Sequence, residues 1–389
     1  MSYWAWFGPM CREERALQGG AVSLAALAWQ TGLLSAVRQH GVDVELVSIL
    51  PEPAWPRGPL APSPPEDSDV CGVPVRQIRN INLPGLRGSL AGRRFIAAFT
   101  ELVRRRGRPA AVFTYNIARA TMMVGRFAQA TLGVPWIAVV ADAPATPWQR
   151  RRHDAWLSLA NGRVFLSWAL YQKAFAGPSY HLDGGVGSKR PSSAVRPASF
   201  LFAGSLSAYN GLGLLLDAFR QVRSDQAALW ICGKGDTDAV RRAAAADRRI
   251  EVIGLVTSER LNEIASRAYA FVSPRPPAMN EDNFPSKILE YLRYGKPIVS
   301  TWTGGLSPEY RNILVVAEGP SSGDFANALD RTLCLQPDDL AAIESRIGKF
   351  VSEHSWTRQA KRLIDWTRNT GGTEKRGAAF AASGGLGTV

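Results

Sequence analysis

The chain has 389 residues, is 46% hydrophobic and 20% charged, and carries a formal net charge of +13. That length exceeds what one hydrophobic core usually serves and predicts two domains, while no run approaches the roughly eighteen apolar residues of a membrane span. Four scattered cysteines without a C-x-x-C pair, and four histidines without ligand spacing, argue against a disulfide scaffold and against a metal site.

The N-terminus, MSYWAWFGPM, lacks a signal-peptide pattern and reads as a first strand over 3–8, which points to a cytoplasmic protein. A loop from Pro9 ends at Gly19-Gly20, an apolar helical period follows over 21–39, and Val42–Leu50 is the next strand. Residues 51–70 are too rich in proline for regular structure. Strand 73–78, helix 90–107, strand 110–115, helix 118–132 and strand 135–141 then alternate. A helix carrying Trp148, Trp156 and Leu159 and a strand at 163–167 complete a first domain. Repeated βα alternation predicts a parallel sheet covered on both faces.

Residues 176–198 have no apolar period and many Gly, Ser and Pro, so the first domain is set at 1–180 and the linker at 181–198. The second domain, 199–352, resumes with strand 199–203, helix 211–223, strand 227–232, strand 250–254, helix 258–267 and strand 268–273. After the stretch discussed next come strand 312–317 and helices 321–334, 338–350 and 355–368. The tail from 371 to 389 is expected to be disordered.

Residues 271–301, FVSPRPPAMNEDNFPSKILEYLRYGKPIVST, carry the functional signal. An apolar strand runs through a polar loop into a helix that opens at Ser286-Lys287 and holds Glu290 one turn in. The first turn of a helix presents unpaired N–H groups and a positive dipole end. A cation and free amides beside a carboxylate suit a diphosphate and a ribose.

This stretch resembles the retaining GT-B glycosyltransferases of family 4, whose segment reads roughly E-G-F-P-x-x-x-x-E-A-x-x-x-G-x-P-V-V. The second acid is Glu290 and the first is Asp282, with Glu281 as a rival; the F-P-S-K-x-x-E-Y-L wording is most similar to a bacterial polysaccharide-assembly branch. The resemblance implies an α/β GT-B architecture: two Rossmann-like domains facing a cleft, with residues 353–370 forming a helix that crosses back to the first. It implies transfer of a sugar, with retention, from a nucleotide-sugar donor to a saccharide or polyprenyl-diphosphate-linked acceptor. Glu290 would hold the ribose, Lys287 and Ser286 the diphosphate, and Asp282 would face the sugar, with Asn283, Phe284 and Ile288 in the same loop and helix. No cofactor or metal is expected if protein cations neutralise the leaving group.

Further donor contacts are implied at the glycine loop Gly19-Gly20, at Gly204, Ser205 and Asn210, at Gly233 and Lys234, and at Leu255. Each also reads as an ordinary loop or core position. The family usually places Arg and Lys where this chain has Ser205 and Asn210. Either Lys287 and Arg275 supply the missing charge or the protein is a catalytically idle scaffold that binds a nucleotide sugar or a partner. A nucleotide-sugar epimerase would need well-placed acids that the chain hardly offers. Tyr115, Asn116 and Asp142 follow strand ends in the first domain and are candidates for the acceptor side.

The charge is uneven: residues 1–190 hold 22 Lys/Arg against 12 Asp/Glu (+10), and residues 191–389 hold 24 against 21 (+3). Arg93-Arg94 to Arg104-Arg105-Arg106 with Phe95, Phe99 and Leu102, and Trp148 beside Arg150-Arg151-Arg152, form aromatic-basic patches. They suit an anionic membrane surface at the inner face of the membrane, or a solvated helix face. No pattern for nucleic-acid recognition appears.

Overall fold

A computed structural model of the protein describes residues 3–11, 23–49, 52, 54–61, 68–70, 72–173, 175–191, 193 and 195–381. The chain divides into two compact units: unit 1 from 1–166, 170–185 and 356–389, and unit 2 from 167–169 and 186–355.

Unit 1 is built on β1 (Tyr3–Phe7), β2 (Asp43–Ser48), β3 (Ser68–Val70), β4 (Val73–Gln77), β5 (Ala111–Tyr115), β6 (Trp136–Val140), β7 (Gly162–Phe165) and β8 (Ser179–His181). They form one sheet in the order β3-β4-β2-β1-β5-β6-β7-β8, parallel except for the β3–β4 pair. Strands β1, β5 and β6 are buried at every residue, as expected where helices cover both faces. On one face Trp6 stacks on Phe113 at 5.5 Å; on the other Phe7 meets Phe95 and Phe99 edge-on.

The helices between these strands are α1 (Leu24–Gln39), α2 (Arg87–Arg106), α3 (Arg119–Leu132) and α4 (Pro147–Leu157). Ser23 caps α1 by accepting from the Ala26 N–H at 3.0 Å. Gly125 lets α3 lie against Trp136, where a Cβ would stand 2.2 Å from the indole. The buried Arg163 closes α4 by donating to the carbonyls of Leu157, Ser158 and Ala160, each at 3.1 Å.

Unit 2 holds β9 (Ser199–Ala203), β10 (Ala228–Cys232), β11 (Ile250–Gly254), β12 (Ala270–Ser273), β13 (Ile298–Ser300) and β14 (Val315–Val316), all parallel, in the order β11-β10-β9-β12-β13-β14. Its helices are α5 (Leu212–Phe219), α6 (Thr237–Ala246), α7 (Ser258–Arg267), α8 (Lys287–Leu292), α9 (Ser322–Leu333) and α10 (Pro337–Glu353). The last helix, α11 (Trp356–Ala381), returns to unit 1 and packs on α1. Strand order reverses between β9 and β12, and that reversal opens a crevice at their carboxyl ends.

Four elements depart from the sequence reading. Ser179–His181 pairs with β7 inside the stretch read as featureless, because a three-residue edge strand is too short to show a period. Ser68–Val70 pairs with β4 in the proline-rich stretch read as loop. The alanine-rich α6 is not predicted by the sequence period, since the small residues of TDAVRRAAAA blur it; Asp236 caps it, accepting from Ala239 N–H at 3.0 Å. Helix α11 also runs past its expected end, to Ala381, into the segment expected to be disordered.

Candidate donor site

Of the residues that carried the sequence signal, Arg275 and Lys287 meet at the reversal point of unit 2. A recess there is lined by Phe202, Gly204, Asn210, Val272, Ser273, Pro274, Arg275, Lys287 and Tyr291. Its walls are the turns that follow β9 and β12 and the start of α8.

Backbone approach sets the geometry. Gly211 has φ +81°, and a Cβ there would lie 1.7 Å from the Pro274 carbonyl oxygen. Gly233 has φ +145°, and its Cβ would lie 1.7 Å from the Gly204 carbonyl oxygen. Both positions require glycine on sterics and on conformation. Gly204 serves the recess directly: a Cβ would stand 2.5 Å from Cε of Lys287, so the bare backbone is what lets the lysine cross it.

Lys287 opens α8. The side chain keeps access to solvent, yet the recess walls strip part of its hydration. That desolvation, with the Arg275 charge second, holds its pKa below the usual lysine range; Glu290 and Cys232 oppose the shift. Two cations therefore share one site, a poor arrangement for the empty protein and a good one for a dianionic ligand. Cys232 is its buried neighbour, its thiol pushed up to about 11 by burial, with Arg260 and Lys287 acting the other way.

Arg275 is held from three sides. Its guanidinium lies over the Tyr209 ring at 5.4 Å, and Nη1 donates to Oδ1 of Asn280 at 3.3 Å. Thr301 Oγ1 donates to its carbonyl. Asn280 is fully buried, and its Nδ2 donates to the carbonyls of Tyr209 at 3.0 Å and Pro276 at 3.1 Å. One side chain thus ties the loop before α5 to the loop after β12 and orients the arginine. The sequence reading missed Asn280, since a loop asparagine carries no spacing signal of its own. Tyr291, buried and stacked on Phe271 at 4.5 Å, bonds through its hydroxyl to the backbone N–H and carbonyl of Ala203. It clamps α8 to the end of β9.

The helix start differs from the expectation of free amides. The N–H of Ile288 donates to Pro285 O at 3.0 Å and that of Leu289 to Ser286 O at 3.2 Å. Ser286 makes no capping bond with its side chain. This tight six-residue helix uses the amides of Ile288 and Leu289 itself, which leaves the recess to rely on its cationic side chains to meet an anion.

Glu290 is exposed and accepts from Arg293 Nη1 at 2.7 Å. Arg293 is anchored in turn by donating Nε to Ser188 O at 3.0 Å. Asp282 and Asn283 are half-buried on the loop before α8, where Gly305 lets the Asn283 carbonyl approach to 2.1 Å of its Cβ position. Asn283 Oδ1 and Thr303 Oγ1 are buried without a hydrogen-bond partner. Phe284 packs on Tyr310 at 5.7 Å and Ile288 is wholly buried, so both serve the core. Ser205, Lys234 and Leu255 lie outside the lining, exposed on the turns after β9, β10 and β11. Asn210 lines the recess, but its Nδ2 donates to Ser207 Oγ at 3.0 Å within its own turn. Gly19 and Gly20 fall outside the described residues.

In unit 1, Tyr115 is corrected from acceptor contact to core residue. It is 3% exposed and packs against Trp29 at 5.8 Å, and burial raises its pKa, with Asp142 adding to the rise. An apolar strand end, not a site, explains it. Asn116 adopts φ +58°, and its Oδ1 accepts from Ala141 N at 2.8 Å and more weakly from Asp142 N at 3.4 Å. It shapes the turn on which Asp142 stands exposed. Among the described residues no three His, Cys, Asp or Glu cluster as metal ligands, and no helix is long and apolar enough to cross a membrane.

Two parallel-sheet α/β units, the second with a charged crevice at its reversal point, define the GT-B fold of glycosyltransferases. The chain overlays on a glycosyltransferase from Rickettsia africae with a TM-score of 0.67 at 11% identity, covering 95% of this chain and 98% of that one. Against HepE of Anabaena in complex with UDP the TM-score is 0.67 at 14% identity, covering 93% and 98%. For a sucrose-phosphate synthase from Thermosynechococcus elongatus it is 0.64 at 15%, covering 98% and 100%. Residues 30–174 match the family model of the glycosyl transferase 4-like domain, and residues 197–334 match that of glycosyl transferases group 1. The chain belongs to the GT-B glycosyltransferases of this group and is a glycosyltransferase. No curated protein matches it.

Proposed function

We propose that the protein transfers a sugar, with retention at the anomeric carbon, from a nucleotide-sugar donor to a hydroxyl of a saccharide or polyprenyl-diphosphate-linked saccharide. The setting is cell-surface polysaccharide assembly at the cytoplasmic membrane face. Unit 2 holds the donor and unit 1 the acceptor. A uridine-diphosphate sugar is the first candidate, because the similar structures include HepE with UDP-glucose and a UDP-forming trehalose-phosphate synthase from Burkholderia xenovorans.

One observation carries this reading: Lys287 and Arg275 line the same recess. The bond from the anomeric carbon to the diphosphate oxygen breaks, charge develops on that oxygen, and the two cations stabilise it where Ser205 and Asn210 cannot. Glu290 takes the ribose hydroxyls in exchange for its ion pair with the largely buried Arg293, which keeps its bond to the Ser188 carbonyl. Asp282 and Asn283 face the sugar. No metal is required, so chelator leaves the rate unchanged.

The test is release of the free nucleoside diphosphate from UDP-, GDP-, ADP- and dTDP-sugars, with and without a saccharide acceptor. Turnover with one donor, lost in Lys287→Ala, supports transfer. Binding of a donor with no turnover under any acceptor supports the idle-scaffold alternative, for which the absent Arg and Lys speak.

A further inference from the structure

Two loops of unit 1 present large apolar side chains that the fold leaves uncovered. Trp55 is 50% exposed, Leu60 47%, Ile81 38%, Leu83 36% and Leu86 54%. These side chains do not sit on loose segments. Trp55 N donates to Asn82 O at 3.1 Å, and Asn82 N donates to Leu60 O at 2.9 Å. The buried Asn82 donates Nδ2 to Pro59 O at 3.2 Å, and Arg87 Nη1 reaches Glu52 O at 3.3 Å. The loops are zipped side by side with their apolar residues held out, and contiguous exposed apolar surface of this kind marks an interaction site.

The exposed apolar residues share their two segments with arginines, while Glu52, whose carbonyl Arg87 meets, is half-buried at the edge. Residues 54–61 and 78–94 contain Arg57, Arg79, Arg87, Arg93 and Arg94 and no acid. Toward the other end of α2, also basic in sequence, part of the charge is paired: Arg106 with Asp43 and Glu45, Arg105 with Glu45, and Arg76 of β4 with Glu101. Arg57, Arg79, Arg87, Arg93 and Arg94 thus share the two segments with the exposed leucines.

We propose that these paired loops dock unit 1 on an anionic bilayer, the apolar side chains entering the interface and the arginines meeting lipid phosphates. The inference rests on the reading of a lipid-linked acceptor and names the surface that would deliver it. A nucleic acid fits less well, because four of the five exposed side chains are aliphatic and offer no stacking face.

The full chain is floated with vesicles of phosphatidylcholine alone and of equal parts phosphatidylcholine and phosphatidylglycerol. Binding is expected to the mixed vesicles, to fall with added salt, and to drop about tenfold or more in the triple variant Trp55→Ser, Leu83→Ser, Leu86→Ser. Arg57→Gln with Arg79→Gln and Arg87→Gln should lose binding as well, and that variant carries the test if the apolar one melts at a lower temperature. Arg104→Gln should bind as wild type. Wild-type indifference to anionic vesicles, or apolar and arginine variants that float like wild type, would overturn the assignment. So would a DNA duplex held more tightly than the vesicles and unaffected by the apolar changes. Donor-induced thermal stabilisation, read on the same samples, separates the two ideas. Lost flotation with an intact donor response strikes the docking surface alone, and intact flotation without any donor response strikes the transferase reading.

Discussion

The turns after β9 and β12 in unit 2 and the turns after β5 and β6 in unit 1 sit at matching places in two similar sheets, yet they are built differently. In unit 2 the backbone is brought into near-contact by glycines, pinned by the buried Asn280 and clamped by Tyr291, and it holds two cations around one recess. In unit 1 the corresponding turns offer a core tyrosine, an asparagine that ties the turn after β5 to the turn after β6, and an exposed aspartate. A diphosphate and a ribose are the same in every donor of a class and reward a rigid, charged cradle. An acceptor varies, and a short polar turn on a rigid sheet can be altered without disturbing the fold.

If the difference is functional, damage in unit 2 should be severe and specific. Lys287→Ala should lower kcat/KM for transfer by about a hundred- to a thousandfold, the range for losing one group that stabilises developing negative charge. Steady-state kinetics with the preferred donor would show it, and a loss below threefold would mean that the charge is supplied elsewhere.

Gly211→Ala tests the near-contact itself. With φ +81° and the Pro274 oxygen at 1.7 Å, it should cost about 3 kcal/mol or more in urea unfolding. Gly213, two residues on in α5, has nothing within 4 Å of its Cβ position; there alanine should be neutral or stabilise by up to about 1 kcal/mol. Equal effects at both sites would show that the crowding is not real.

Asn280→Ala removes the bonds that join the Tyr209 and Pro276 carbonyls and frees the Arg275 guanidinium from Oδ1. It should cost about 1–3 kcal/mol of stability and weaken donor binding about tenfold, both measurable by calorimetry. Asn116→Ala, its counterpart in unit 1, should cost about 1–2 kcal/mol through the lost bond to Ala141 N and the left-handed backbone, while leaving donor affinity unchanged. A change in donor affinity there would erase the division of labour.

A smaller effect follows from the lowered pKa of Lys287. The ammonium is fully charged well below its folded pKa and loses its proton earlier than an ordinary lysine as pH rises. Free-enzyme kcat/KM should therefore fall on an alkaline limb that starts below the usual lysine range and is absent in Lys287→Ala. Stability moves the other way: the unfolded chain binds the proton more tightly, so this group's contribution rises with pH between the two values.

The βα rhythm of both units was legible because buried parallel strands read as unbroken apolar runs, as FLFA of β9 and WIAVV of β6 do. The short edge strand β8 and the alanine-rich α6 were not, since neither has enough contrast for a period. Lys287, at the recess, and Glu290, outside its lining, stand out through their spacing on one helix, and Arg275 through the strand end before it. Gly204 is among the sequence candidates, but Asn280 and Thr301 act through contacts to Tyr209 and Arg275, far along the chain, which no local pattern encodes. The helix-start amides read as available by position, but the tight turn that places Lys287 uses those of Ile288 and Leu289.

The central claim is that Lys287 and Arg275 together take the place of the cations missing at Ser205 and Asn210. Thermal stabilisation by the preferred UDP-sugar, compared across wild type, Lys287→Ala, Arg275→Ala and the double variant, tests it most directly. Wild type should gain about 2.7 kcal/mol at a hundred times its Kd, each single variant should lose most of that gain at the same donor concentration, and the double variant should show none. A donor shift in the double variant equal to that of wild type would contradict the claim.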